Sequence, residues 1–376
     1  MSTPSYELWY TTDTGSRIQS LDTALWWQAS RQVNNIGHFQ MGLPATFDEN
    51  LLKPDRMVQI WRQPSGGRLG LWRVYFLRGW RLQHEGDQER ITIWGADCND
   101  LLRRRIAACF SGVVAGTSFT TIEADNLMKD VVTNSQSDAA FPVPAAGSRA
   151  WADLTVAADL TDAPQVSIDC AWDTLLTDSG AGILPALADA SADAGTNLFF
   201  DVVADSVSPT SITFQFRTYT GQPGMDVSDR VVFNREDLNL RDPFIEWDHT
   251  AEVNYVYAGG PGVEDARIMH QVYNADRYGA SHWNRCESFV DARNQSVDAA
   301  VWAAGRQGIR EGRPRIRAGG VPLDTVGTRF GLDWDFGYRV AMKYRRLQFD
   351  CIVRAVVLSM DSSGQETIDA RLDYES

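Results

Sequence analysis

Positive charge is scarce in this sequence. Across 376 residues, 49 acidic side chains face 35 basic ones, a formal net charge of −14, and only Lys53, Lys129 and Lys343 of the basic residues are lysines. Affinity for duplex phosphate comes largely from lysine and arginine releasing counterions, so ordinary DNA binding is disfavoured. The preference for arginine reads as a trace of a GC-rich coding genome and carries no mechanism. Long apolar runs are missing too. No stretch approaches the roughly 18 uncharged apolar residues of a membrane helix, and residues 1–10 lack the basic patch and apolar run of a classical export signal. The expectation is a chain neither exported by that route nor inserted in a bilayer.

Chemistry-bearing patterns are equally thin. The five cysteines, Cys98, Cys109, Cys170, Cys286 and Cys351, are odd in number, widely spaced and without a C-x-x-C pair, which argues against a disulfide framework and a zinc clip. They are expected to be buried, reduced thiols of a protein made in the cytosol. Among His38, His84, His249, His270 and His282 no two are spaced i, i+2 or i, i+4, so metal ligation from one strand or helix has no support. There is no G-x-S-x-G elbow. Gly259-Gly260-Pro261-Gly262 lacks the lysine and the following helix of a phosphate loop, and reads as a turn. No catalytic residue, cofactor-binding residue or metal ligand is assigned.

What is present is apolar and aromatic. Hydrophobic residues make up 44% and aromatics 11%, the composition of a folded protein with cores to bury. The length exceeds what one core usually supports, so two or three packed units are expected. Charge is divided unevenly among them. Residues 151–230 carry 12 Asp and no Glu against Arg217 and Arg230, whereas residues 1–110 hold 11 acidic and 13 basic residues. Such a shift marks a change of domain. The acidic block reads as a solvated face, or as a surface that repels nucleic acid.

The first hundred residues read as strand after strand. Tyr6 to Tyr10 alternates, and Leu25 to Arg31 leads through Asn34-Asn35-Ile36-Gly37 into His38 to Leu43, a hairpin with Asn and Gly where φ > 0 is needed. Met57 to Trp61 turns at Pro64-Ser65-Gly66-Gly67 into Leu71 to Phe76, and Glu85-Gly86-Asp87 turns into Ile91 to Trp94. Meanders this dense close into barrels or sandwiches, because closure removes exposed strand edges. A short helix over 100–106 is expected next, capped by Asp97 or Asn99, with Arg103-Arg104-Arg105 at its C-terminal turn.

A Gly-Ser-Thr-rich link at 111–118 precedes the clearest helix. Thr120-Thr121-Ile122-Glu123 opens it, and Ala124, Leu127, Met128, Val131 and Val132 form its buried face. A second helix over 183–194 ends at Gly195 and leads to a hairpin of Leu198 to Val203 and Ile212 to Arg217, so the middle block is α+β. Strands return after Val231, at Glu252 to Tyr257, Arg267 to Tyr273, Tyr338 to Met342 and Cys351 to Val357, interrupted by one helix over 297–307. No fixed-period repeat is visible, but two β-rich ends around an α+β middle fit a degenerate duplication.

Glycoside cleavage needs only two carboxylates several ångström apart and has no spacing rule in sequence. Asp333-Trp334-Asp335 is the most suggestive cluster, a ring beside two carboxylates; a strand-entry loop explains it as well. The 13 tryptophans, among them Trp9, Trp26, Trp27, Trp61, Trp72, Trp80 and Trp94, open a carbohydrate-binding reading, although tryptophans in meanders are usually core or interface residues.

Several strings, in chain order, resemble the hub family of siphophage tail tips, itself similar to the baseplate hub of contractile-tailed phages. Trp27-Gln28-Ala29-Ser30-Arg31-Gln32-Val33-Asn34-Asn35-Ile36-Gly37-His38-Phe39 is similar to that family's strand, Arg-x-Val-Asn-x-x-Gly, strand pattern. Ile91-Thr92-Ile93-Trp94-Gly95-Ala96-Asp97 followed by Leu101-Leu102-Arg103-Arg104-Arg105-Ile106 resembles its Gly-x-Asp and Leu-Leu-x-Arg-Arg-Ile segment. Glu252 to Gly260, Glu287 to Arg293 and Trp334 to Val340 fit the same pattern, with Tyr338 where an acidic residue is common.

The resemblance implies an α+β, predominantly β chain in which two antiparallel β-barrel-like hub domains, 1–110 and 236–376, flank an acidic α+β domain, 111–235, with a helical insertion near 291–320. It also implies a homotrimer forming a ring at the end of the tail tube in the virion. The distal tail protein, the tape measure protein and other tail-tip proteins are the implied partners, and DNA passes through without specific binding. No enzymatic activity is expected; a cell-wall glycan hydrolase and a carbohydrate-binding receptor module are the alternatives.

Overall fold

The computed structural model describes residues 4–374 except 86–87, 109–116, 141–142, 152, 161, 171–173, 264–265, 294 and 296–297. Alternating side chains and turn residues lay down β1 (Ser5–Thr11), β2 (Arg17–Ser20), β3 (Trp26–Gln32), β4 (His38–Pro44), β5 (Met57–Gln63), β6 (Gly70–Glu85) and β7 (Gln88–Asp97). They pair in the order β3-β4-β7-β6-β5-β1-β2, every ladder antiparallel. Asn34 takes φ 53° in the expected β3–β4 hairpin and Gly66 φ 80° in the turn after β5, conformations that Asn and Gly adopt with little strain. Gly86 and Asp87, at the expected β6–β7 turn, lie outside the described residues.

The middle block departs from expectation in detail. α1 (Asp100–Arg103) is one turn rather than a helix to residue 106, and Asn99 makes no capping bond to it. Arg103 pairs with Asp100 and Asp178, Arg104 pairs with Asp55, and Arg105 lies over the Trp151 ring. The link at 111–118 lies outside the described residues through 116, and its last two residues begin β8 (Thr117–Glu123). β8 also takes the residues expected to open the helix, so α2 (Ala124–Ser135) starts later while burying the expected Leu127, Met128, Val131 and Val132. β9 (Leu154–Val156), β10 (Gln165–Cys170), α3 (Ile183–Asp193), β11 (Leu198–Val207) and β12 (Ile212–Thr220) complete the block. β8 pairs with β10, β12 sits between β11 and β9, and α2 and α3 share one core with these sheets.

The C-terminal block comprises β13 (Val232–Asn234), β14 (Leu240–Asp248), β15 (Tyr255–Gly259), β16 (Met269–Tyr273), α4 (Ala275–Tyr278), β17 (Glu287–Asp291), α5 (Asp298–Glu311), β18 (Arg315–Pro322), β19 (Arg339–Tyr344), β20 (Leu347–Met360) and β21 (Glu366–Tyr374). β16-β15-β17 form a separate sheet, so the insertion between β14 and β18 begins well before the expected 291–320 and takes in the strands expected at Glu252 to Tyr257 and Arg267 to Tyr273. The remaining strands run β14-β18-β21-β20-β19-β13.

This order repeats that of β3-β4-β7-β6-β5-β1. The first four ladders of each series are antiparallel; only the last differs, β13 lying parallel to β19 where β1 is antiparallel to β5. A bulge falls at the same place in both. β6–β7 slips between Leu77 and Gly79, β20–β21 between Val353 and Ala355, and the skipped residue is arginine each time, Arg78 and Arg354. With Leu77 set on Val353, Tyr75 opposite Val58 coincides with Cys351 opposite Val340. The two units join where β20 pairs with β3, making one 13-stranded sheet.

The chain is predominantly β, with 45% of the described residues in strands and 14% in helices, about twice the strand share of an average domain. The two closed barrels expected at its ends are absent among the described ladders, which form an open path from β14 to β2. The outer edge of β3 is occupied by β20 instead of a strand of its own unit. Both units feed one core, with Tyr10, Trp27 and Tyr75 from the first and Phe233, Trp334 and Val356 from the second.

The repeat makes a paired prediction. Leu358→Ala, in the β3–β20 joint, is expected to lower stability by about 2–5 kcal/mol. Leu82→Ala, the corresponding position on the solvent-exposed end of β6, should stay within about 0.5 kcal/mol in dilute protein, both read from urea denaturation midpoints.

Candidate assembly site

Three segments far apart in sequence meet beside β11: the β3–β4 turn, the start of β6 and the end of β7. Arg73 on β6 donates Nε and Nη2 to Asp97 Oδ2 at 2.9 and 2.6 Å, and Nη1 and Nη2 to the two carboxylate oxygens of Asp201 on β11 at 3.0 and 2.7 Å. Its Nη1 also reaches the Val202 carbonyl at 3.1 Å. Arg31 adds a contact to Asp201 at 3.3 Å. A planar guanidinium suits such forked acceptance by two carboxylates.

The asparagines stitch the same joint along the backbone. β11 pairs with β12 on one side; its other side is met by side chains. Asn34 Oδ1 accepts the Phe200 N–H at 2.9 Å and Asn34 Nδ2 donates to the Leu198 carbonyl at 3.2 Å. Asn99 Oδ1 accepts the Val202 N–H at 2.7 Å, while its amide donates to the Asn35 carbonyl at 2.7 Å. These amides stand in for a neighbouring strand. Gly37 is required here, because a Cβ would overlap the Ser30 carbonyl oxygen and come within 2.8 Å of Asp97 Oδ2.

Arg73, Asp97, Asn99 and Asp201 are all buried. Burial pushes the Asp97 carboxyl up to about 6, with Arg73 pulling against it. Burial works against the Arg73 charge as well, but Asp201 and Asp97 hold its pKa well above the ordinary arginine value. Burial also drives the Cys98 thiol up to about 12, leaving it unreactive. Cys98 and Cys351 are buried and Cys286 half-buried, Cys98 and Cys286 being free thiols, and Cys109 lies outside the described residues.

The carboxylate cluster singled out for glycan chemistry is a stitched loop. Trp334 is 0% exposed, packed edge-on to Phe233 and against Phe330, with its indole N–H on the Thr328 carbonyl at 2.9 Å. Asp333 pairs with Arg329 at 2.9 Å, which holds its carboxyl below the usual range. Asp335 is pushed up by burial and accepts the Phe336 N–H at 2.7 Å. A ring with no exposed face offers a sugar nothing to stack on. A cavity of about 490 Å³ beside β3 and β4 is lined by Gln28, Ser30, His38, Gln40 and Trp94 among others and by no carboxylate, whereas one of about 420 Å³ at the far end of β6 and β7 is lined by Asp48, Glu49, Glu89 and His84. No cluster of metal-ligating residues occurs among the described residues; His249 pairs with Glu252, and His270 with Asp298.

Arg31, Asn34, Gly37 and Asp97, which stood out as family-like strings, therefore converge on one joint, whereas Arg73 and Asp201 carried no sequence signal. Arg73→Met would leave Asp97 buried without a cation and Asp201 with only the longer contact to Arg31, and is expected to cost about 3–5 kcal/mol in chemical denaturation. Adding Asp97→Asn and Asp201→Asn to it should restore most of that loss.

A protein-family comparison matches residues 6–372 to a family described as Siphovirus ReqiPepy6 Gp37-like protein. No curated protein matches. Among solved structures, a tail protein from Neisseria meningitidis MC58 aligns over 100% of this chain and 97% of its own, with a TM-score of 0.57 at 11% identity. The 43 kDa tail protein of prophage MuSo2 from Shewanella oneidensis aligns over 99% and 98%, with 0.57 at 11%. The prophage tail protein gp18 from Listeria monocytogenes EGD-e aligns over 98% and 94%, with 0.51 at 9%. The match along nearly the whole sequence and the shared fold agree: the chain belongs to the Siphovirus ReqiPepy6 Gp37-like protein family and has the fold of phage tail proteins.

Proposed function

We propose that this chain is a structural hub subunit of a siphophage tail tip, three copies of which form a ring at the distal end of the tail tube. The observation that carries the reading is the repeated six-strand unit. Two similar units per chain let three chains build a ring of six similar positions, with heterologous contacts that close by rotation. In this reading residues 1–110 and 236–376 supply the ring, and the acidic 111–235 segment is carried outside it. The distal tail protein and tape measure protein are its neighbours in the virion, and DNA passes through the ring without specific binding. Most of the net charge of −14 lies in the 111–235 segment, and the ring-forming segments are close to neutral, without the basic excess that would hold phosphate.

The non-enzymatic reading draws support from the buried Trp334 and from the ion pair that engages Asp333. Light scattering on purified protein at rising concentration is expected to reach the mass of three chains. A mass that stays at one chain at the highest concentration, with or without the neighbouring tail proteins, would sink the hub reading. In a cell-wall clearing assay the wild type should be inactive; clearing that is lost in Asp333→Ala would replace the hub with a glycan hydrolase.

A further inference from the structure

Resting on the ring proposed above, we propose that the free edge of β14 in one copy pairs antiparallel with the end of β6 in the next copy, in the register that joins β3 to β20 within the chain. Past the ladder with β19, residues 355–360 of β20 turn their open edge to β3. Setting Leu77 on Val353 makes residues 79–84 of β6 their counterpart. Those residues lie past the ladder with β5, which ends at Phe76, and have β7 on one side. β14 is likewise the counterpart of β3, since Ile245 faces Ala318 as Ala29 faces Phe39, and its one ladder among the described residues is with β18.

Exposure tracks the pairing. Val356 and Leu358, in the joint, are 0% exposed, while their counterparts Trp80 and Leu82 are 36% and 52% exposed. Across the joint, Ala29 is 0% exposed and Arg31 half-buried, whereas their counterparts on β14 are more open, Ile245 half-buried and Trp247 53% exposed. An apolar sheet edge of this kind attracts another strand.

The register then follows without adjustment. Leu358 faces Ala29, Val357 faces Ser30 and Val356 faces Arg31. Carried over to the counterparts, Leu82 faces Ile245, Arg81 faces Glu246 and Trp80 faces Trp247. That is an aliphatic pair, a pair of opposite charges and a pair of indoles, each of a type that stabilises directly opposed positions in antiparallel strands. A slip of one residue would place Arg81 against an apolar side chain and reverse every face. Pro243, which has no N–H to give, falls opposite His84 at the end of the shared ladder. Because the two edges differ, copies join head to tail.

The test uses the full chain in a Cys286→Ser background. Trp80→Cys/Trp247→Cys, oxidised gently, is expected to give covalently closed trimers on a non-reducing gel, whereas Trp80→Cys/Trp283→Cys gives none. Arg81→Glu and Glu246→Arg should each weaken association about tenfold or more, and the double exchange should recover wild-type association within about threefold. A wild type that reaches the mass of three chains, with neither cross-link nor charge rescue, would overturn this interface and leave the hub standing. A wild type that remains a single chain would overturn both.

Discussion

Two carboxylates from different layers share a single guanidinium inside this protein. Asp97 belongs to the N-terminal sheet and Asp201 to the middle hairpin, and Arg73 pairs with both, Arg31 adding a longer contact to Asp201 alone. The positions of β6, β7 and β11 are thereby tied, because displacement of any one leaves charge unpaired in a place water does not reach. The amides of Asn34 and Asn99 act along the same line on the backbone of β11. Apolar packing alone would hold these layers together; the polar set decides how they are oriented.

The same logic explains what could and could not be read from the amino acids in order. A strand with clean alternation, β12, and the buried face of α2 declared themselves through local spacing. β14 did not, because an outermost strand carries charge and proline, and Arg241, Asp242 and Pro243 hide Ile245 and Trp247. β8 was mistaken for a helix start because Thr120-Thr121-Ile122-Glu123 imitates a capping box. The Arg73–Asp201 contact spans 128 residues, and nothing in the local pattern ties its ends. Half of that joint was nonetheless visible: Arg31, Asn34, Gly37 and Asp97 stood out by resemblance before their geometry was known.

The suspected duplication became concrete through ladders rather than letters. Strand order, strand sense and a bulge over an arginine coincide between the units, though Cys351 stands where Tyr75 does and Val340 where Val58 does. Side chains that fill a core change freely when volume is conserved. A bulge re-aims a whole strand and is retained as a feature of the backbone. Closed barrels were expected from strand density, yet each unit uses an edge to bind a neighbour, so neither closes on itself.

One contrast between the units concerns their hairpin tips. β3 and β4 are linked by a tight bend at Asn34, while the matching link from β14 to β18 has expanded into β15, β16, β17, α4 and α5. The expansion leaves the register of the flanking strands intact. Such a tip is a graft point: new modules can be spliced there, and lost again, without disturbing the scaffold beneath, so lineages sharing this frame are free to diversify by exchanging what hangs from a single loop.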